Sequence, residues 1–181
     1  MLAKYMLIKV IRGIIREKSE FGVREVAEKL KISPSASKLA LDFLLNKGVI
    51  EKRKFGKIFR LRVKTNFLTR HIKILCSLAE LNDASIVEEL LQKNQDILSI
   101  SLYGSVAKGE DDDKSDVDIL IISRKRIRLD PLKGEETIGR ELAILNYSYS
   151  EWKEKAEKDP TFYKEVILNC VQLYGEKPVV T

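Results

Sequence analysis

Residues 97–122 read ILSISLYGSVAKGEDDDKSDVDILII, and this stretch restricts the fold more than any other. Residues 97–102 and 119–122 are short apolar runs bounded by polar or glycine-containing segments, the pattern of buried strands. The first run leads into Tyr103-Gly104-Ser105, and ten residues separate Ser105 from Asp116-Val117-Asp118, which opens the second. Side chains alternate along a strand, so Asp116 and Asp118 are expected on one face and Val117, Ile119 and Ile121 on the other. Two neighbouring carboxylates are electrostatically unfavourable unless a cation lies between them. Mg2+ suits such a pair, because it takes hard oxygen ligands and is usually completed by water and substrate phosphates. Gly104 allows close backbone approach to a phosphate, and N–H groups that begin a helix there would favour an anion. The acidic run at 110–113 reads as a solvated loop tip, since nothing apolar in the sequence anchors it.

The surrounding composition narrows the class. The chain has 181 residues, is 44% hydrophobic and 33% charged, and so can pack one large domain or two small ones. Its longest aliphatic run, 119–122, is far too short to span a bilayer, and Lys4, Lys9 and Arg12 interrupt the N-terminal apolar stretch before it could serve as a signal peptide. With two cysteines, Cys76 and Cys170, one histidine, His71, and no Cys/His pair at metal spacing, neither a disulfide scaffold nor a zinc finger is expected. A reducing cytoplasm is the expected compartment, with no membrane partner. Without a nearby acid in any motif, His71 is expected to be a surface or structural residue. Cys170 is expected in the core.

Charge is sorted along the chain. Residues 1–66 hold 17 Lys and Arg against 6 Asp and Glu, whereas residues 67–181 hold 16 against 21. A basic module followed by a mildly acidic one suggests different partners for each. In the basic part, Met6, Leu7, Val10, Ile11, Ile14 and Ile15 share a helical stripe, and a second helix fits 24–30. Ser33 is a suitable N-cap with Pro34 at the first helical position. The third helix should then bury Leu39, Ala40, Phe43 and Leu44 and end at Lys47-Gly48. Strands at 49–54 and 57–63 flank a turn at Phe55-Gly56. This order resembles a winged helix-turn-helix domain over residues 1–66, which would bind DNA. The resemblance implies that Ser35, Ser37 and Lys38 on the third helix face a major groove and that Lys52, Arg53, Lys54, Lys57, Arg60 and Arg62 on the hairpin meet phosphates. The competing expectation is a winged domain that packs on a neighbour or forms a homodimer.

An amphipathic connector helix is expected within 67–81, with Ile72, Leu75, Cys76 and Ala79 inward, then a helix at 85–93. Beyond the acid pair, 141–146 reads as a strand and 152–158 as a helix. A last helix, capped by Asp159-Pro160, should bury Tyr163, Val166, Ile167, Cys170, Val171 and Tyr174 and stop at Gly175.

Gly104-Ser105, ten residues, then Asp116-x-Asp118 between strand-like runs resembles the signature of the DNA polymerase β-type nucleotidyltransferase superfamily. With Lys108-Gly109 and Ser115 in place, it is most similar to the minimal nucleotidyltransferases. The implied architecture is α+β: the winged module, the connector, and a nucleotidyltransferase domain at 82–181 with a mixed sheet and flanking helices. The resemblance further implies that Asp116 and Asp118 bind two Mg2+ ions, that Gly104 and Ser105 hold the β and γ phosphates of ATP or another nucleoside triphosphate, and that Lys108 assists. A third acid on a neighbouring strand would hold the metal that activates the nucleophile. Glu141 and Ala143 match that position equally well, and Glu141 is the acid available. The implied reaction is transfer of a nucleoside monophosphate, AMP by family precedent, to an acceptor. In this family that acceptor can be a helical partner protein, as in toxin–antitoxin pairs. The alternative reading is a DNA-binding regulator or antitoxin whose nucleotide domain has lost catalysis.

Overall fold

The computed structural model describes residues 2–56 and 58–180 and divides into two units, Met1–Lys73 and Ile74–Thr181. No described helix is long and apolar enough to cross a membrane.

In the first unit, α1 (Leu2–Ile14) and α2 (Val23–Lys29) precede α3 (Pro34–Asn46). The stripe of α1 buries Val10 and Ile14, and Ile15 follows it into the core; α2 buries Val26 and Ala27. Ser33 caps α3 as its sequence position suggests, its hydroxyl accepting from the Ala36 N–H at 3.2 Å. Lys47 closes the helix, and Gly48 beyond it adopts φ +71°. The hairpin β1 (Ile50–Phe55) and β2 (Ile58–Val63) is antiparallel, with Phe55 opposite Ile58 and Gly56 at φ +55° in the turn. Phe21 adds an isolated bridge to Leu61. Element order follows expectation, but the inner face of α3 does not. Ser37, Ala40, Leu41 and Leu44 are buried, a regular i, i+3, i+4, i+7 stripe. Leu39 and Phe43, expected inside, are exposed. A serine completes the stripe because its hydroxyl donates to the Val23 carbonyl at 2.9 Å, so its burial leaves no unpaired donor.

A single helix, α4 (Phe67–Asp83), starts in the first unit and ends in the second; it runs two residues past the expected 67–81 connector. Cys76 is buried on it, while Leu75, expected inside, is exposed. The second unit continues with α5 (Ile86–Lys93), β3 (Ile97–Tyr103), α6 (Gly104–Lys108), β4 (Val117–Ser123), α7 (Glu135–Ile138), β5 (Leu142–Ser148), α8 (Tyr149–Lys158), α9 (Pro160–Asn169) and β6 (Val171–Gly175). The sheet order is β5-β4-β3-β6, with β4 and β5 parallel and both partners of β3 antiparallel, a mixed sheet as anticipated.

Alternation along β4 sorts its side chains between two cores. Val117, Ile119 and Ile121 pack with Ile86, Leu90 and Val106; Leu120 and Ile122 pack with Trp152, Val166 and Cys170. The expected last helix is a correction. It ends at Asn169, and residues 171–175 form edge strand β6 instead. The reason lies in Gln172, whose amide donates to the Ser99 hydroxyl and the Ile100 carbonyl and accepts from the Ser101 hydroxyl, each within 3.1 Å. A helix would leave those buried serines unpaired.

Trp152 is fully buried, and its indole N–H donates to the Pro178 carbonyl at 2.7 Å. Trp152→Ala should therefore cost the second unit about 3–5 kcal/mol, read from urea unfolding followed by far-UV circular dichroism.

Candidate active site

The crevice forms where β3 ends and β4 begins. Tyr103, the last residue of β3, lies opposite Asp118 in the antiparallel register. The next residue, Gly104, takes φ +71° and turns the chain into the short helix α6. Its lack of a side chain is required here: a Cβ at 104 would sit 2.1 Å from the Asp118 Oδ2. The Asp118 carboxylate thus occupies the space over the Gly104 backbone, and the Gly104-Ser105 corner and the acid pair share one crevice. The missing side chain at Gly104 makes room for the Asp118 carboxylate, a role its sequence position did not suggest.

Asp118 is half-buried, and Asp116, one residue before the strand, is exposed. Burial first, and then the neighbouring Asp116 charge, pushes the Asp118 carboxyl above its ordinary range. Burial, Asp118 and Tyr147 together push the Tyr103 phenol up to about 12, which keeps it a neutral donor. The Asp116 charge is therefore near enough to act on the Asp118 carboxyl. An acid pair without a cation is the donor set that a hard divalent ion fits.

The remaining expected residues are distributed as follows. Ser105 lies in the first turn of α6. Lys108, on the same helix, pairs with Glu165 of α9 at 2.5 Å rather than pointing free into solvent. Ala143, not Glu141, is the register partner of Asp118 on the parallel strand β5. Glu141 lies just before that strand, exposed, with its carbonyl accepting from the Val117 N–H at 2.9 Å. Among the described residues no three His, Cys, Asp or Glu side chains gather in a group that could hold a metal. The pair Asp116–Asp118 is thus brought together without Glu141.

The acidic run is a further correction. Asp111 has 0% exposure, and one of its oxygens accepts from Arg140, itself 8% exposed, at 3.1 Å. Asp112 accepts from the Lys114 N–H and the Ser115 hydroxyl. The run is a folded loop whose anchor is ionic, and no apolar pattern in the sequence marks it.

In the first unit, the residues expected to face DNA separate by role. Ser35, Lys38, Lys52, Arg53 and Lys54 are exposed, and Arg62 is partly so. Register places Lys52 and Lys54 on one face of the hairpin and Arg53, Arg60 and Arg62 on the other. The Lys52 ammonium lies 4.3 Å from the Phe59 ring centre, and Arg53 pairs with Glu51 at 2.7 Å. Ser37 is buried and cannot reach a ligand. Arg60 is tied to both carboxylate oxygens of Glu25 and to the Glu20 carbonyl, so it braces the hairpin against α2. Lys57 lies outside the described residues.

The raised carboxyl of Asp118 has a defined linkage. A group that holds its proton more tightly in the folded state loses stability for the fold as pH rises from its unfolded value through its folded one. Metal-free Asp118→Asn should therefore have a higher urea midpoint than the unsubstituted protein at neutral pH. The gap should close below the unfolded aspartate value of about 3.9.

A family model described as polymerase beta, nucleotidyltransferase matches residues 85–178, from α5 through β6. No curated protein and no solved structure matches the chain. The matched region holds the Gly104-Ser105 corner, Asp116 just before β4, Asp118 on it, and more than half of the chain, and the protein belongs to the polymerase beta nucleotidyltransferase family.

Proposed function

We propose that the second unit transfers a nucleoside monophosphate, AMP from ATP, to an acceptor in a magnesium-dependent reaction. The observation that carries this reading is the placement of the Asp118 carboxylate over the Gly104 backbone, within repulsion distance of Asp116. Asp116 and Asp118 would hold the divalent ions. Bound there, the ions would lower the pKa of an acceptor hydroxyl and stabilise the departing pyrophosphate. The Ser105 hydroxyl and the backbone N–H groups of the corner would donate to the β and γ phosphates and hold the α phosphorus in line for attack. Tyr103, neutral and opposite Asp118 in the strand register, would line one wall of the crevice. Lys108 becomes a phosphate ligand once it leaves Glu165. The acceptor hydroxyl attacks the α phosphorus, the bond to pyrophosphate breaks, and the hydroxyl proton passes to solvent or to a neighbouring carboxylate.

A second reading is favoured by one observation, the alanine beside Asp118. With Ala143 where β5 could present a third carboxylate, nucleotide binding would persist while transfer is slowed. The protein would then act as a DNA-binding regulator or antitoxin that responds to nucleotide. A helical partner protein as acceptor or target is compatible with either reading, and a cytoplasmic location suits both.

The test is incubation with Mg2+, α-labelled ATP and host lysate. Transfer by the unsubstituted protein that disappears in Asp116→Asn/Asp118→Asn supports the enzyme. Transfer unaffected by that double substitution rejects the site. Ala143→Asp should raise the transfer rate by at least about tenfold, the scale of a metal-ligand contribution; the regulator reading predicts measurable transfer only in that variant.

For the first unit we propose DNA-backbone binding through the hairpin. Exposed Lys52, Arg53 and Lys54 support it, whereas exposed Leu39 and Phe43 on α3 speak against detailed base reading by that helix. Affinity for duplex DNA should fall steeply with salt, and Lys52→Ala should reduce the log–log slope by about 1 across unrelated sequences.

A further inference from the structure

The strongest polar feature of the second unit outside the crevice is the buried Arg140 guanidinium. One of its nitrogens donates to Asp111 at 3.1 Å and lies 3.5 Å from the Ser115 carbonyl; the other donates to Glu80 at 3.0 Å and lies 3.5 Å from the Ser77 hydroxyl. Arg140 is 8% exposed and Asp111 0%. Its contacts bracket the loop that leaves α6 at Gly109 and returns at Asp116. Asp111 anchors the outward limb, and Ser115 is the residue immediately before Asp116. Within the loop, the Asp112–Ser115 hydrogen bonds close a tight turn, and Glu80 and Ser77 of α4 provide a rigid helical backing.

We propose that Arg140 is a positioning residue for the acid pair: its planar fork clamps the 109–115 loop against α4 and so sets where the Asp116 backbone enters β4. Asp118 is held by strand register. Asp116 lies one residue outside the strand, so its carboxylate needs a second support, and the Ser115 end of the clamp supplies it. A lysine cannot reproduce this, because a point charge cannot address Asp111 and Glu80 in two directions at fixed angles. The proposal rests on the reading of Asp116 and Asp118 as the metal pair.

A purely structural ion cluster would behave differently, and the variants separate the two. Removing one buried partner leaves an unpaired charge, so Arg140→Ala would confound folding with function. Replacing all three charges by apolar side chains, Arg140→Met/Asp111→Leu/Glu80→Met, removes the clamp and all three of its charges together; Arg140→Lys keeps the charge and loses the fork. Each is measured in the full chain for urea stability, for amide hydrogen exchange across 109–117 without metal, and for Mn2+ affinity by electron paramagnetic resonance. The expected result is faster exchange in that loop in both variants and Mn2+ binding weakened by about 10- to 100-fold, with global stability of the triple variant near that of the unsubstituted chain. Unchanged loop exchange overturns the clamp, whatever the metal result. Faster exchange with unchanged Mn2+ affinity overturns the positioning role. If the unsubstituted chain fails to bind Mn2+, while loop exchange still responds to the variants, the metal-pair reading fails and takes the positioning role with it.

Discussion

Partial burial of the Asp118 carboxylate where β3 ends and β4 begins, with the Asp116 charge beside it, is the constraint that the neighbouring elements accommodate. Folding places two carboxylates beside each other, one of them half-buried, and raises the proton affinity of Asp118 in doing so. Neighbouring elements accommodate this arrangement. Antiparallel pairing of β3 with β4 brings Tyr103 beside Asp118, Gly104 vacates the space the carboxylate needs, and two separate apolar cores hold β4 from either face. A half-buried carboxylate with a second acid beside it is the kind of group whose proton affinity its surroundings raise, and such groups are more frequent at sites than elsewhere.

The two units present contrasting surfaces. The first carries most of the basic residues, but several of them are engaged within the protein: Arg60 braces the hairpin, Arg53 pairs with Glu51, and Lys52 lies over Phe59. Its third helix shows Leu39 and Phe43 to solvent. A count of positive charge therefore overstates the number of side chains available to phosphates. In the second unit, the acidic excess is likewise reduced, because Asp111 and Glu80 face the buried Arg140 guanidinium.

Legibility in the sequence tracked the range of the interaction responsible. Local signals were readable: Ser33 and Asp159 as caps, Gly48 as a helix stop, the strand-turn-helix at 97–108, and the alternation that separates Asp118 from Ile119. Features decided by distant partners were not. Ser37 is inside because Val23 offers a carbonyl, residues 171–175 are a strand because Ser99 and Ser101 need Gln172, and Asp111 is inside because Arg140 is there. In each case the partner that draws a polar side chain inside lies far from it in the sequence. The alignment of Ala143, rather than Glu141, with Asp118 also depended on parallel register, which no local pattern encodes.

The ten residues between Ser105 and Asp116 run from the short helix α6 to the threshold of β4, and their middle is pinned at Asp111. Such a segment cannot behave like an ordinary surface connection. Deleting one residue would drag Asp116 toward α6 or pull Asp111 off its anchor, and inserting one would have to bulge between two fixed points. Length variation among descendants of this chain should thus accumulate in other connections, leaving this interval as a ruler that travels with the acid pair.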